Sequence, residues 1–101
     1  MQQLNEQLWM QQVEDYYLIG VTPAFQCDAG DITFAQIAEL GEIECDDTLL
    51  NVEASKAAIE VPMPFTATII ARNEQAEANP SLLDSPESAN NWVVKVKDIQ
   101  D

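Results

Sequence analysis

Between Leu8 and Val21 the apolar positions fall into two short extended runs, "LWMQQV" and "YYLIGV", with Glu14 and Asp15 between them. That pattern predicts a β-hairpin whose turn holds the two acidic residues. "TPAFQCDAGD" follows, with Thr22 as N-cap, Pro23 at the first helical position and Gly30 as the stop, the signals of a helix of about two turns. In "DITFAQIAEL" the alternation of Ile32, Phe34 and Gln36 breaks phase at Ile37. A strand with a bulge near Ala35 to Ile37 is expected there, ended by Gly41. The acidic "EIECDD" reads as a turn, and "TLLNVEA" resumes the alternation.

A partner strand runs from Ala57 to "PMP", where Pro62 and Pro64 lack the amide donors that pairing needs. "FTATIIARN" is rich in β-branched residues and reads as the next strand. "ANPSLLDSP" repeats the helix signals, with Asn79 as cap and Pro80 first, and "SPESANN" reads as a polar loop. "WVVKVK" closes the chain as a strand with Trp92, Val94 and Val96 inward, Trp92 being a core anchor, and Lys95 and Lys97 outward. Short strands, Gly/Pro punctuation and short helices predict an all-β sandwich or flattened barrel in one domain, residues 1–101. A chain of this length buries roughly 60 to 70% of its unfolded surface, which leaves little room for an internal catalytic cavity.

The segment "VEASKAAIEV", Val52 to Val61, has a register that its own side chains specify. With Ser55 and Lys56 at the tip, Ala54 faces Ala57, Val52 faces Ile59 and Leu50 faces Val61, all apolar. The opposite face then carries Asn51 with Glu60 and Glu53 with Ala58, with Leu49 as an apolar exception. A slip of one residue would pair Val52 with Glu60, so Lys56 stays in the turn. Its neighbours Ala54, Ser55, Ala57 and Ala58 are small and leave the amine clear of bulky side chains. The spacing admits two readings: an ordinary solvating lysine, or an amine presented to a modifying enzyme.

Charge narrows the partners. Eighteen acidic residues against four basic ones give a net charge of −14. Nucleic acid and anionic membrane surfaces are disfavoured, and basic faces of partner proteins are favoured. The chain has no histidine, which removes imidazole bases, histidine-based triads and mixed Cys/His zinc sites. Neither a catalytic residue nor a metal site is expected. Cys27 and Cys45 are too few for a structural zinc site and read as free thiols. No basic, apolar leader opens the sequence and no apolar run reaches the roughly eighteen residues of a membrane span, so a soluble, cytoplasmic protein is expected.

At the lysine hairpin the sequence resembles the glycine cleavage system H protein family, and most of all its short H-like carriers. "LWMQQVEDYYLIGVTPAF", "GDITFAQIAELGE", "VEASKAAIEVPMPFTATIIARNEQAEANPSLLDS" and "NWVVKVK" carry the resemblance over roughly residues 8 to 98. Its most specific element is Glu53, Lys56 and Ala57 in Glu-x-x-Lys-Ala order. The resemblance implies a lipoyl-type flattened barrel, a barrel-sandwich hybrid of two antiparallel sheets with one or two short helices. It implies lipoate covalently attached to Lys56, with Glu53, Ser55 and Ala57 read by a lipoate ligase or lipoyl transferase.

The chain lacks the histidine that commonly precedes the family's tryptophan, and it ends soon after the closing strand, as the H-like form does. That form implies a carrier in redox defence, serving a flavin oxidoreductase, with reversible ADP-ribosylation by a macrodomain-linked sirtuin and a macrodomain hydrolase. Asp28 beside Cys27 is the candidate acceptor, with Asp31 a weaker one. The alternatives are a conventional H protein shuttling the aminomethyl group among glycine cleavage enzymes, a biotin carrier, and an unmodified acidic interaction module. The usual biotin surroundings, Ala-Met-Lys-Met, are not matched by Ser55 and Ala57. A carrier with a free arm suits a monomer.

Overall fold

A computed structural model describes residues 2–100. The chain forms β1 (Gln2–Gln3), β2 (Leu8–Val13), β3 (Tyr16–Val21), α1 (Pro23–Ala29), β4 (Ile32–Ile37), β5 (Gly41–Ile43), β6 (Thr48–Ala54), β7 (Ala58–Pro62), β8 (Thr66–Arg72), α2 (Glu74–Ala78), a 3₁₀ turn (Pro80–Asp84), α3 (Ser88–Asn91) and β9 (Trp92–Gln100). Two antiparallel sheets result. The larger has the order β1-β2-β3-β9-β8-β5 and the smaller β4-β6-β7. The all-β, two-sheet fold expected from the pattern is the fold found.

The core lies between the sheets. From the small sheet come Ile32, Ala35, Ile37, Leu50, Val52 and Val61, and from the large sheet Leu8, Ile19, Val21, Ile69, Val94 and Val96, all buried. Each of these valine, leucine and isoleucine side chains contributes roughly 1.5–3 kcal/mol relative to exposure, which is what penalises a slipped register. The β2–β3 hairpin pairs Val13 with Tyr16 across Glu14 and Asp15, and Glu14 takes the left-handed backbone (φ 54°) that closes so tight a turn.

Several expectations need correction. The bulge in β4 falls between Ile32 and Phe34 rather than near Ala35 to Ile37. It turns Phe34 outward, 45% exposed, and lets Ala35 and Ile37 point inward together. A second bulge, between Thr48 and Leu50, removes the Leu49 exception, since Leu49 and Leu50 are both buried. Gly41 opens β5 instead of ending β4, so part of the acidic "EIECDD" segment is a strand paired with β8. The segment after Asn79 is a 3₁₀ turn, while α2 occupies residues just past the expected strand and α3 residues read as polar loop. All three are short enough that packing, rather than intrinsic propensity, decides them.

Trp92 is half-buried where β9 begins, and a register shift at Gly20 displaces it from the inward face. The deeply buried tryptophan is Trp9, 5% exposed, with its indole N–H donating to Asn91 Oδ1 at 3.1 Å. Trp9 lies flat on Gly20, where a Cβ would collide with the ring. No described helix is long and apolar enough to cross a membrane.

Candidate functional site

The hairpin β6–β7 pairs Leu50 with Val61, Asn51 with Glu60, Val52 with Ile59 and Glu53 with Ala58. That is the register the side chains specify, and it leaves Ser55 and Lys56 at the tip. The Ala54 N–H donates to Ala57 O at 3.0 Å across the turn. Glu53, Ser55, Lys56 and Ala57 are all exposed.

The tip is less free-standing than its small residues suggest. It rests on the end of α1 and the turn that follows. The Ser55 N–H donates to Asp31 O and the Lys56 N–H to Ala29 O, both at 2.9 Å. In return the Asp31 N–H donates to Ser55 Oγ at 2.9 Å. The Lys56 ammonium donates to Cys27 O at 2.9 Å, capping one of the carbonyls that a helix C-terminus leaves unpaired.

Gly30 makes this contact possible in two ways. Its backbone (φ 79°, ψ −150°) lies in a region essentially reserved for glycine, and a Cβ there would run into Ser55 Oγ and come within 3.0 Å of Lys56 Cγ. Sequence reasoning read Gly30 as a helix stop and missed its second role. The available signal was a glycine following a short helix in a chain that carries a run of small residues at Ala54, Ser55, Ala57 and Ala58.

Helix α1 is itself fixed. Thr22 Oγ1 accepts from the Phe25 N–H at 3.2 Å and donates to Glu6 O, while Phe25 and Ala29 are buried. Gln26 Nε2 donates to Leu83 O at 2.7 Å and Ser85 O at 2.8 Å, which ties the helix to the 3₁₀ turn. Asp84 in that turn accepts from the Ile32 N–H at 3.0 Å, holding the start of β4. The platform under Lys56 is thus anchored on both sides.

Asp28 is exposed on the last turn of α1, next to Cys27, whose carbonyl holds the lysine amine, and Asp31 is exposed in the turn below the tip. The structure therefore brings Lys56, Ser55, Asp28 and Asp31 to one end of the small sheet. Cys45 lies elsewhere, beside Pro64, and both cysteines are free and exposed. Among the described residues no group of three or more His, Cys, Asp or Glu side chains could hold a metal ion.

The match to the glycine cleavage H-protein family model runs over residues 1–101. The chain belongs to the glycine cleavage H-protein family. It is 36% identical over 99 residues to the glycine cleavage system H-like protein of Staphylococcus aureus, covering 98% of this chain and 90% of that one. A glycine cleavage system H protein of Bacteroides thetaiotaomicron is 31% identical over 94 residues, covering 92% of this chain and 75% of the relative. In three dimensions the fold superposes on the crystal structure of a glycine cleavage system H protein from Mycobacterium marinum with a TM-score of 0.81. That alignment covers 94% of this chain and 80% of the other at 20% identity, a likeness of fold.

Proposed function

We propose that this protein is a lipoyl carrier in which Lys56 is the attachment residue and the domain presents the arm rather than performing catalysis. The observation that carries the reading is the register. Two rows of apolar pairs place one lysine at the exposed tip of a hairpin, among side chains no larger than serine. Family membership and the 36% identity to an H-like protein support it.

The residues fit such a group. An amine on an exposed tip can enter an enzyme's active site, and amide formation removes its charge, leaving an apolar arm over an acidic body. Lipoate, once attached, supplies dithiol–disulfide exchange. The chain's own part is positional: Ser55, Asp31, Ala29 and Gly30 fix the turn from which the arm leaves. Glu53, exposed three residues before Lys56, offers a carboxylate for the transferring enzyme to read.

Within this reading an H-like role, which we extend to redox defence, is favoured by the higher identity to the H-like relative, 36% against 31% for the Bacteroides H protein. Asp28 as an ADP-ribose acceptor for a macrodomain-linked sirtuin is supported by its exposed place one residue from the carbonyl that holds the Lys56 amine.

The test is intact-mass and peptide mass spectrometry after incubation with a lipoate ligase, ATP and lipoate, with Lys56→Arg in parallel. One lipoyl adduct on Lys56, absent from the variant, is expected. No adduct from a ligase that modifies a control carrier would overturn the reading and favour an unmodified acidic interaction module.

A further inference from the structure

The outer face of the small sheet carries two cross-strand rows. Phe34, Glu53 and Ala58 form the row beside the tip, and Gln36, Asn51 and Glu60 the next. The β4 bulge has put Phe34 there, the one large apolar side chain of the two rows and 45% exposed. Ala58 is too small to cover its side of the surface, and the result is a shallow depression of about 410 Å³ that also borders Val52 and Ile59, the pair facing the core. Glu53 and Glu60 fence it, and none of the residues lining it is basic. Glu60 is held in place by Thr48, whose hydroxyl donates to Glu60 Oε2 at 2.7 Å.

Phe34 thus stands exposed on the edge strand β4, with Glu53 opposite it on β6 and Glu60 beyond on β7. On the large sheet, by contrast, half-buried aromatic rings have a cation: Lys95 lies 5.2 Å from the Tyr16 ring centroid and 5.5 Å from that of Trp92. The depression on the small sheet has no basic residue in its lining, so a cation that pairs with Glu53 or Glu60 there would be a partner's. We propose that the Phe34 face is the docking surface for the acyl-transferring enzyme that modifies Lys56, and that this enzyme meets it with an apolar side chain flanked by lysine or arginine. The proposal rests on the carrier reading and adds the surface and chemistry of the partner. An aromatic anchor with carboxylates on one side of it matches the way interface energy concentrates, and Glu53 links the anchor row to the tip three residues away.

The experiment is steady-state lipoylation by a lipoate ligase with saturating ATP and lipoate, varying the carrier. Phe34→Ser is expected to raise KM for the carrier about tenfold with kcat within about twofold, as loss of an interface anchor does. Glu60→Gln should raise KM about threefold and flatten its rise with salt, because a charge pair has been removed. Leu40→Ser is the control. Leu40 is 62% exposed, more than Phe34, but lies beyond the far end of β4, so KM should not change.

Cooperative thermal unfolding checks that Phe34→Ser folds, and Glu60→Gln carries the test if it does not. Unchanged KM in the folded variants, while wild-type carrier is modified, overturns the docking surface alone. Failure to modify wild-type carrier overturns the carrier reading and this proposal with it.

Discussion

The two ends of the small sheet are secured by different physics. At the end away from the tip, Arg72 reaches from β8 to Ala38 O (2.8 Å), Ile37 O (2.9 Å) and Glu77 Oε2 (2.8 Å), and Glu77 also accepts from the Ile37 N–H. This is the one salt bridge among the described residues, with the arginine side chain 12% exposed. At the tip end the bonds are chiefly backbone to backbone, helped by the Ser55 hydroxyl, the Lys56 amine and a glycine's missing side chain. A partly buried ion pair is costly to leave half-made, so it holds the layers together. Backbone bonds at a solvated tip are individually weak, yet they fix where a side chain begins.

That contrast orders the expected damage. Arg72→Ala should have the largest effect, about 3 kcal/mol of lost stability, because it strands two carbonyls and the Glu77 carboxylate in a mostly buried setting. Chemical denaturation measures it, and a loss under about 1 kcal/mol would mean the clamp is dispensable. Protein that remains folded should still be modified at Lys56, since the clamp lies at the opposite end of β4.

Gly30→Ala comes next, at about 1–3 kcal/mol, from a backbone conformation that alanine tolerates poorly together with the collision at Ser55. The change should also move the tip. Lipoylation is therefore expected to fall by more than the unfolded fraction explains, whereas Arg72→Ala loses modification only in step with unfolding. Equal behaviour of the two variants would erase the distinction between the ends.

Much of this was legible in the sequence, for identifiable reasons. The Lys56 register was readable because Leu50, Val52, Ile59 and Val61 alternate with polar partners, and only one parity buries them all. Helix α1 was readable because Thr22, Pro23 and Gly30 are local signals acting on their own backbone. The bulges were not. Thr33 and Leu49 interrupt alternation, but which residue absorbs the extra step depends on the opposite sheet. Trp9 and Trp92 look alike as aromatic residues at strand starts, and their fates diverge through Gly20 and Asn91, far apart in sequence. The contact between α1 and the tip was hidden for the same reason, since Ala29 and Lys56 meet through backbone atoms that no side-chain pattern reports.

Ser55→Ala is the smallest effect and the sharpest test of the tip. Its hydroxyl accepts from the Asp31 N–H, while its own N–H and that of Lys56 are held by backbone carbonyls that the substitution leaves alone. Because the site is exposed, water can replace the lost acceptor, and the cost should be about 0.5–1 kcal/mol. If Ser55 serves mainly to seat the tip, kcat/KM for lipoylation should fall by a factor close to that stability change, about two- to fivefold. If the enzyme reads the hydroxyl directly, kcat/KM should drop far more while the melting temperature barely moves. Glu53→Ala measured beside it gives the reference for a side chain that is read, because Glu53 makes no side-chain bond within the described structure and its loss should leave stability within about 0.5 kcal/mol. A Ser55→Ala profile that tracks Glu53→Ala would move Ser55 from the scaffold of the tip to its recognised surface.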